Sequence, residues 1–346
     1  MPTVRLRDVA ERAGVSVRTV SNVVNDFVHV APATRERVHR ALDELGYRPN
    51  LAARQLRRGR SGVISLVVAE IDSPYFAELA AVVVRAAETR GWDVHIDQTD
   101  GDPDRERRML SGPLGQQVDG VVFSPWALAP AELTQRAPSI PLVVLGERQA
   151  NGQVDHVAVD NVAAAHDATA HLISHGRQRI VALGLQPHLS NETARLRQQG
   201  YRDALVDAGR SLDPRLEVGV QRLHRSDGAQ AVARLLTEDV SFDALFCFTD
   251  QLALGAIRAL ADRGLRVPDD VAVAGFDDIE DGRYAVPSLT TVAPDKRQIA
   301  DVALRLLANR IQDPAAPVVD FVAAHELVIR QSSDPVTIYP NHAGGS

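Results

Sequence analysis

From residue 63 onward the apolar residues come in short blocks that switch between two periods, and this limits the chain to one kind of architecture. Continuous apolar runs of strand length, Val63-Ile64-Ser65-Leu66-Val67-Val68, Gly120-Val121-Val122-Phe123, Leu142-Val143-Val144-Leu145 and His156-Val157-Ala158-Val159, are separated by polar turns and helical stretches. The helical stretches run from Phe76 to Thr89, Arg105 to Leu114 and Val162 to Ser174. A second series follows: strand Arg179–Leu183, helices Thr193–Ala208 and Gly228–Leu236, strand Ala244–Phe248, helix Gln251–Arg263, strand Val271–Gly275. Past Leu289-Thr290-Thr291-Val292 a helix is expected from Lys296 to Arg310, and a last strand near Leu327–Ile329. Strand–helix alternation of this kind builds parallel sheets with helices on both faces, and such sheets take ligands at the carboxyl ends of their strands.

The first sixty residues do not follow that pattern. Leu6, Val9, Ala10 and Ala13 share one helix face, and Gly14-Val15 turns the chain. Ser16 is placed to cap a second helix from Val17 to Asn25, whose inner face is Val20, Val23 and Val24. Pro32 and Thr34 open a third helix through Leu45, with Val38, Ala41, Leu42 and Leu45 inward and Gly46 as its stop. The stretch from Tyr47 to Gly62 has four Arg between 54 and 60 and no face to bury, so it reads as a linker with a short helical piece. The expected organisation is an all-α head over 1–48, a hinge over 49–61 and an α/β body over 62–346.

Charge is divided along the same line. Residues 1–60 hold twelve Arg and six acids, so the head is +6 within a chain of net charge -7, and the other 286 residues are -13. A basic head on an acidic body suits a protein whose head alone meets a polyanion. Cys247 is the single cysteine, so no intrachain disulfide can form; its apolar neighbours Ala244 to Phe248 suggest a buried, inert thiol. Arg5, Arg7, Asp8, Glu11 and Arg12 interrupt any signal-peptide core, and no stretch approaches the ~20 apolar residues of a membrane span, so a cytoplasmic location without membrane contact is expected. Enzyme signatures are missing: no G-x-S-x-G, H-E-x-x-H, Walker loop or G-x-G-x-x-G occurs. His171 and His175 lie four apart on a helix but lack a third ligand, so neither a metal nor a cofactor is expected. A transport binding protein would fit the body, and the basic head argues against it.

The segment Val4 to Ser21 resembles the start of the LacI/GalR family of bacterial repressors. Asp8-Val9-Ala10, Ala13-Gly14-Val15-Ser16, Thr19-Val20-Ser21, Val24-Asn25, Leu45-Gly46-Tyr47, Pro49-Asn50 and Ala53-Arg54-Gln55-Leu56 sit at family spacing. The likeness continues through Gly176-Arg177, Arg197-Gln198-Gln199-Gly200-Tyr201, Asp250 to Gly255, Val267 to Val271, Gly275-Phe276-Asp277-Asp278 and Leu289-Thr290-Thr291. The resemblance implies a helix-turn-helix head, a hinge and a two-lobed body like the periplasmic binding proteins. It implies a homodimeric transcriptional repressor on a near-palindromic double-stranded DNA operator, not an enzyme. It assigns base-edge reading to Val17, Arg18 and Asn22. It assigns backbone positioning to Arg7, Ser16, Thr19, Ser21, Asn25 and His29. In the hinge, Asn50 begins a segment that becomes helical on operator, Leu56 is the minor-groove wedge and Ala53 the small residue beside it. The tail after Ile329 contains Pro335 and Pro340 and no heptad, so a dimer is expected rather than a tetramer.

For the body the resemblance implies a small-molecule effector, sugar-like by family preference, held between the lobes. The residues it maps there are Tyr75, Phe76, Ser124, Trp126, Thr193, Arg197, Thr249 and Asp277. Arg and Asp suit sugar hydroxyls because each makes paired hydrogen bonds. Three positions depart from the sugar pattern. Gly146-Glu147 stands where many members carry Asp, Thr249 where they often carry Asn, and Leu223 falls near the usual aromatic platform.

Overall fold

The computed structural model describes residues 4–24, 27, 29–47, 60–111, 118–134, 140–147, 152–189 and 192–334. The chain divides into two compact units, residues 1–61 and 62–346.

In the first unit three helices, Leu6–Ala13, Val17–Val24 and Pro32–Leu45, pack around Val9, Ala10, Ala13, Val20, Val23, Val38 and Ala41. Aliphatic and Ala side chains of this size let short helices approach closely. Gly14 ends the first helix in the left-handed region, φ 64°, so Val15 N–H can return to the Ala10 carbonyl at 3.0 Å. Ser16 then caps the second helix as anticipated: the Thr19 amide donates to its Oγ at 3.1 Å.

The second unit contains two six-stranded sheets. The first is built from β1 (Val63–Val68), β2 (Asp93–Gln98), β3 (Gly120–Phe123), β4 (Leu142–Leu145), β5 (Asp155–Val159) and β11 (Asp320–Ala323), in the order β11-β5-β4-β3-β1-β2. The second is built from β6 (Ile180–Leu185), β7 (Glu217–Gly219), β8 (Ala244–Cys247), β9 (Ala272–Phe276), β10 (Thr290–Pro294) and β12 (His325–Val328), in the order β12-β10-β9-β8-β6-β7. The two orders correspond strand for strand, so the unit is two copies of one doubly wound plan. Among the described residues every strand pairing is parallel except that of β10 with β12. Cys247 is fully buried in β8, and burial pushes its thiol pKa up, which matches the inert reading.

The chain changes lobe at three places: Asp160, Asp295 and Ala324. Each Asp caps the helix that follows it. The Ala163 amide donates to Asp160 at 2.9 Å, and the Gln298 amide to Asp295 at 2.8 Å. The helix after Asp160, Asn161–Ser174, places Ala164, Ala165, Ala168 and Leu172 in the second lobe's core. The helix after Asp295, Lys296–Gln312, returns Ile299, Ala300, Val302, Ala303, Leu304, Leu306 and Leu307 to the first lobe's core. Two strands without sequence expectation, β7 and β11, are short edge strands whose residues are largely polar or half-exposed.

Candidate functional site

On the first unit, the helix Val17–Val24 buries Val20 and Val23 and leaves Val17 and Arg18 exposed, with Asn22 half-buried. Arg18 and Asn22 are four residues apart and therefore share a face. Val17 is 44% exposed, so its methyl groups are available on the same exposed side of the helix as Arg18. Thr19 and Ser21 are half-buried beside this face; Ser16 and Thr19 hydroxyls bond each other at 2.8 Å. Arg7 is exposed and 3.5 Å from Glu11, and exposed His29 stands edge-on to Phe27, which is itself 52% exposed. The helix end at Asn25 and the hinge positions Asn50, Ala53 and Leu56 lie outside the described residues. A helix with one face held by a three-helix core and the other bearing a guanidinium, a carboxamide and a methyl group has the donor and apolar set that major-groove base edges require.

The second unit has a cleft at the carboxyl ends of both sheets, with a cavity volume of about 130 Å³. That is on the order of ten water-sized volumes, at the ~10–15 Å³ a single water needs. All eight residues mapped there from sequence line it: Tyr75, Phe76, Ser124, Trp126, Thr193, Arg197, Thr249 and Asp277. Each sits just past a strand or at a helix start. Ser124 follows β3, Asp277 follows β9, Tyr75 and Phe76 open the helix Pro74–Glu88, and Thr193 and Arg197 open Glu192–Asp207.

Arg197 is the centre of the polar wall. Its Nε donates to Asn161 Oδ1 at 2.7 Å, Nη1 donates to the Phe248 carbonyl, and the same nitrogen is 4.0 Å from Asp277 Oδ1. The guanidinium lies 3.4 Å from the Phe276 ring centroid, a stacked cation–π placement. Burial lowers the arginine pKa, opposed by Asp277 and Glu147. Asp277 adopts φ 120°, a strained region for a residue with a side chain. Burial raises its carboxyl pKa to about 6, with Arg197 and Lys296 pulling it back down. Tyr75 is pushed up by burial and by Asp277, so its hydroxyl is a donor throughout the ordinary pH range. Thr249 is committed locally: its hydroxyl donates to the Leu223 carbonyl at 3.2 Å and accepts the Leu252 amide at 3.2 Å as a helix cap.

Further residues complete the site. The Gly146-Glu147 departure does not remove a carboxylate from the wall, because Glu147 lines the cleft and accepts from Asn161 Nδ2. Burial raises its pKa to about 7, with Arg197 and the Asn161 bond lowering it. Asn161 therefore holds both Arg197 and Glu147 and had no sequence signal beyond following Asp160. Glu106 is fully buried and accepts the backbone amides of Trp126 at 2.7 Å, Ala127 at 3.0 Å and Leu128 at 2.9 Å, which fixes the loop that presents Trp126. In sequence it sits among Arg105, Arg107 and Arg108 and looks like part of a solvated face. His224, from the second lobe, meets Glu70 of the first at 2.9 Å across the cleft mouth. Leu223 lines the cleft, so the platform position carries an aliphatic surface. Among the described residues no group of three or more His, Cys, Asp or Glu is placed to hold a metal ion, and no helix is long and apolar enough to cross a membrane. His171 is instead bound to Ser333 at 2.7 Å, and burial beside His175 lowers its pKa to about 4.

Comparison with known proteins matches residues 5–50 to the bacterial regulatory proteins of the lacI family and residues 169–333 to a periplasmic binding protein-like domain. The chain is 33% identical over 334 residues to the HTH-type transcriptional repressor PurR of Mannheimia succiniciproducens, covering 94% of this chain and 98% of that one. Among solved structures it is similar to the transcriptional regulator CelR in complex with cellobiose: TM-score 0.71, 32% identity, 95% of this chain and 99% of the other. It is also similar to the lac repressor dimer bound to operator and the anti-inducer ONPF: TM-score 0.81, 28% identity, 96% and 99% coverage.

Proposed function

The chain belongs to the lacI family of bacterial regulatory proteins, and on that premise we propose that it is a homodimeric repressor whose grip on a near-palindromic operator is set by a sugar-like metabolite in the interlobe cleft. DNA binding and transcriptional regulation come with the family, and its characterised relatives are repressors rather than enzymes. The dimer, the operator and the residue roles are the proposal.

The observation that carries the sensing role is the placement of Arg197. A guanidinium is costly to bury unless several partners share it. Here Asn161 at the first lobe crossing, Phe248 and Asp277 hold it at the wall of a cleft. A ligand that bonds to this cluster and to Ser124 and Trp126 touches both lobes at once. Its differential affinity for the two lobe arrangements, typically 1–3 kcal/mol, then sets the change in operator affinity. Dimer formation is supported by Tyr284 and Val286, which are 80% and 91% exposed on one short segment of the second lobe. Val17, Arg18 and Asn22 read bases, and Arg7, Ser16, Thr19, Ser21, Asn25 and His29 position the backbone. Asn50, Ala53 and Leu56 belong to a hinge that folds on the operator, with Leu56 as its wedge.

The test is a shift assay on the promoter region of its own and neighbouring genes, with footprinting, followed by a metabolite screen for release or tightening. A protected palindrome whose occupancy responds to a metabolite is the expected result. No protected site would refute the repressor reading. Leu56→Ala should weaken operator binding far more than nonspecific binding; an equal loss on both would refute the wedge.

A further inference from the structure

The cleft wall contains more acid than base, and the surplus is concentrated at one residue. Of the three carboxyls that line it, Glu70 is paired with His224 at 2.9 Å and Asp277 faces Arg197 at 4.0 Å. Outside the wall, Glu78 is paired with Lys296 at 2.6 Å, and Asp278 is held by Arg330 at 2.6 Å and by Arg283. Asp250, fully buried behind the wall, accepts from Thr291 Oγ1 at 2.5 Å and from the Ile279 amide at 2.9 Å. Glu147 is left with a neutral partner, the Asn161 carboxamide. Among the described residues the cation acting on it is Arg197, already engaged by Asn161, Phe248 and Asp277, while Asp160 and Glu192 add to the negative potential around it. A cavity-lining carboxylate whose nearest described cation is shared with other partners creates a place where a positive charge gains more than a hydroxyl does.

We propose that the effector is an aminated monosaccharide whose ammonium group docks against Glu147 while its hydroxyls bond Arg197, Asp277 and Ser124. This inference rests on reading the cleft as the effector site. The ring faces of Phe76 and Trp126, with centroids 6.3 Å apart, and the side chain of Leu223 supply the apolar surface for the sugar's C–H face. Binding of the ammonium form gives Glu147 a counter-ion that it does not have among the described residues, so the carboxyl gives up its proton as the ligand enters. Burial raises the Glu147 carboxyl pKa to about 7, which favours the protonated form below neutrality before the ligand binds.

The experiment titrates the full chain by calorimetry with matched pairs that differ only in one group: glucosamine and glucose, galactosamine and galactose, mannosamine and mannose. The N-acetylated form of each is a third member that keeps the nitrogen and loses the charge. The buffer is held at about pH 6.5, below the range where such amines lose their proton. One aminated sugar should bind at least about tenfold tighter than both uncharged partners, and Glu147→Gln should cut that preference below about threefold, tenfold being ~1.4 kcal/mol. Repeating the wild-type titration in buffers of different ionisation heat should show net proton release; this readout does not depend on the variant folding. Equal or tighter binding of an uncharged member overturns the proposal and leaves the sensing reading standing, as does binding of an uncharged metabolite when no aminated sugar binds. A preference that survives Glu147→Gln also overturns it. If no small molecule binds in a broad screen, the sensing reading falls, and this inference with it.

Discussion

Gly200→Ala tests whether the cleft depends on how closely two helices pack beneath it. Gly200 lies on the helix Glu192–Asp207, three residues after Arg197, and a Cβ there would stand 2.1 Å from the Val162 carbonyl oxygen and 2.9 Å from both Ala165 Cβ and the His166 nitrogen. Two of those three atoms are backbone of the neighbouring helix Asn161–Ser174, so no side chain can swing aside. The helices must separate by about 1.3 Å to restore ordinary contact at 3.4 Å. Overpacking of this kind costs about 1–3 kcal/mol, against which Ala gains up to ~1 kcal/mol of helix propensity over Gly. A backbone oxygen at 2.1 Å puts this case at the upper end of that cost, so the net loss is about 2 kcal/mol, visible as a melting point lowered by about 2–4 °C per kcal/mol in a body of this size. The same separation lengthens the 2.7 Å bond from Arg197 to Asn161 beyond hydrogen-bond range. Effector affinity should therefore fall by at least about tenfold, while operator affinity without effector changes less. Thermal unfolding and effector titration check both parts. An unchanged or raised melting point would show that the helices yield freely and would refute the packing argument. Full effector affinity in a destabilised variant would refute the link between packing and the arginine.

In the head, Arg18→Ala or Asn22→Ala should cost about 1–3 kcal/mol of operator affinity and relax specificity at one or two base pairs, read by shift assay on mutated operators. Ser16→Ala removes the bond from the Thr19 amide; the head should lose ~1 kcal/mol, measured by circular-dichroism melting. Asp277 and Glu147, raised to about 6 and about 7, favour the folded state in their protonated forms. Their stabilising contribution is complete below the unfolded values of 3.8 and 4.5 and is lost as pH rises through about 6 and about 7. The empty protein should thus lose stability from pH 5 to pH 8 at these two sites, and Asp277→Asn with Glu147→Gln should flatten that part of the melting-point profile. An unflattened profile would mean that neither carboxyl titrates there.

Much of this was legible before any coordinates. The period switch at residue 63 marked the α/β body, and Ser16, Gly14 and Pro32 bounded the head helices within a residue or so, because caps and apolar periodicity are local signals. The eight cleft residues came from resemblance, and all eight line one cavity. The missing parts are those whose meaning is non-local. Glu106 looks solvated on its own helix and becomes buried only because three amides 20 residues away need an acceptor. Asn161 acquires a role only when a second-lobe arginine and a first-lobe glutamate meet at it. Strand β7 is only Glu217-Val218-Gly219, and the apolar run of β11 is interrupted at Asp320 with Val322 left exposed; both lie at a sheet edge, where less of a strand is buried and the sequence signal is weaker.

The three lobe changes at Asp160, Asp295 and Ala324 have a consequence for how the protein is made. The first lobe's core includes the helix Lys296–Gln312 and the strand β11, and both leave the ribosome after nearly the whole second lobe. Its first five strands are therefore synthesised without the helix that covers them, and Ile64, Leu66, Val122 and Val143 must wait for Ile299, Ala303, Leu304 and Leu307. The second lobe is nearly complete by Pro294 and lacks only β12 and the residues that follow it. Vectorial synthesis thus reverses the order in space: the lobe begun first closes late, on a partner that is already largely built. A released chain ending just before Lys296 should expose the first lobe to protease while the second resists.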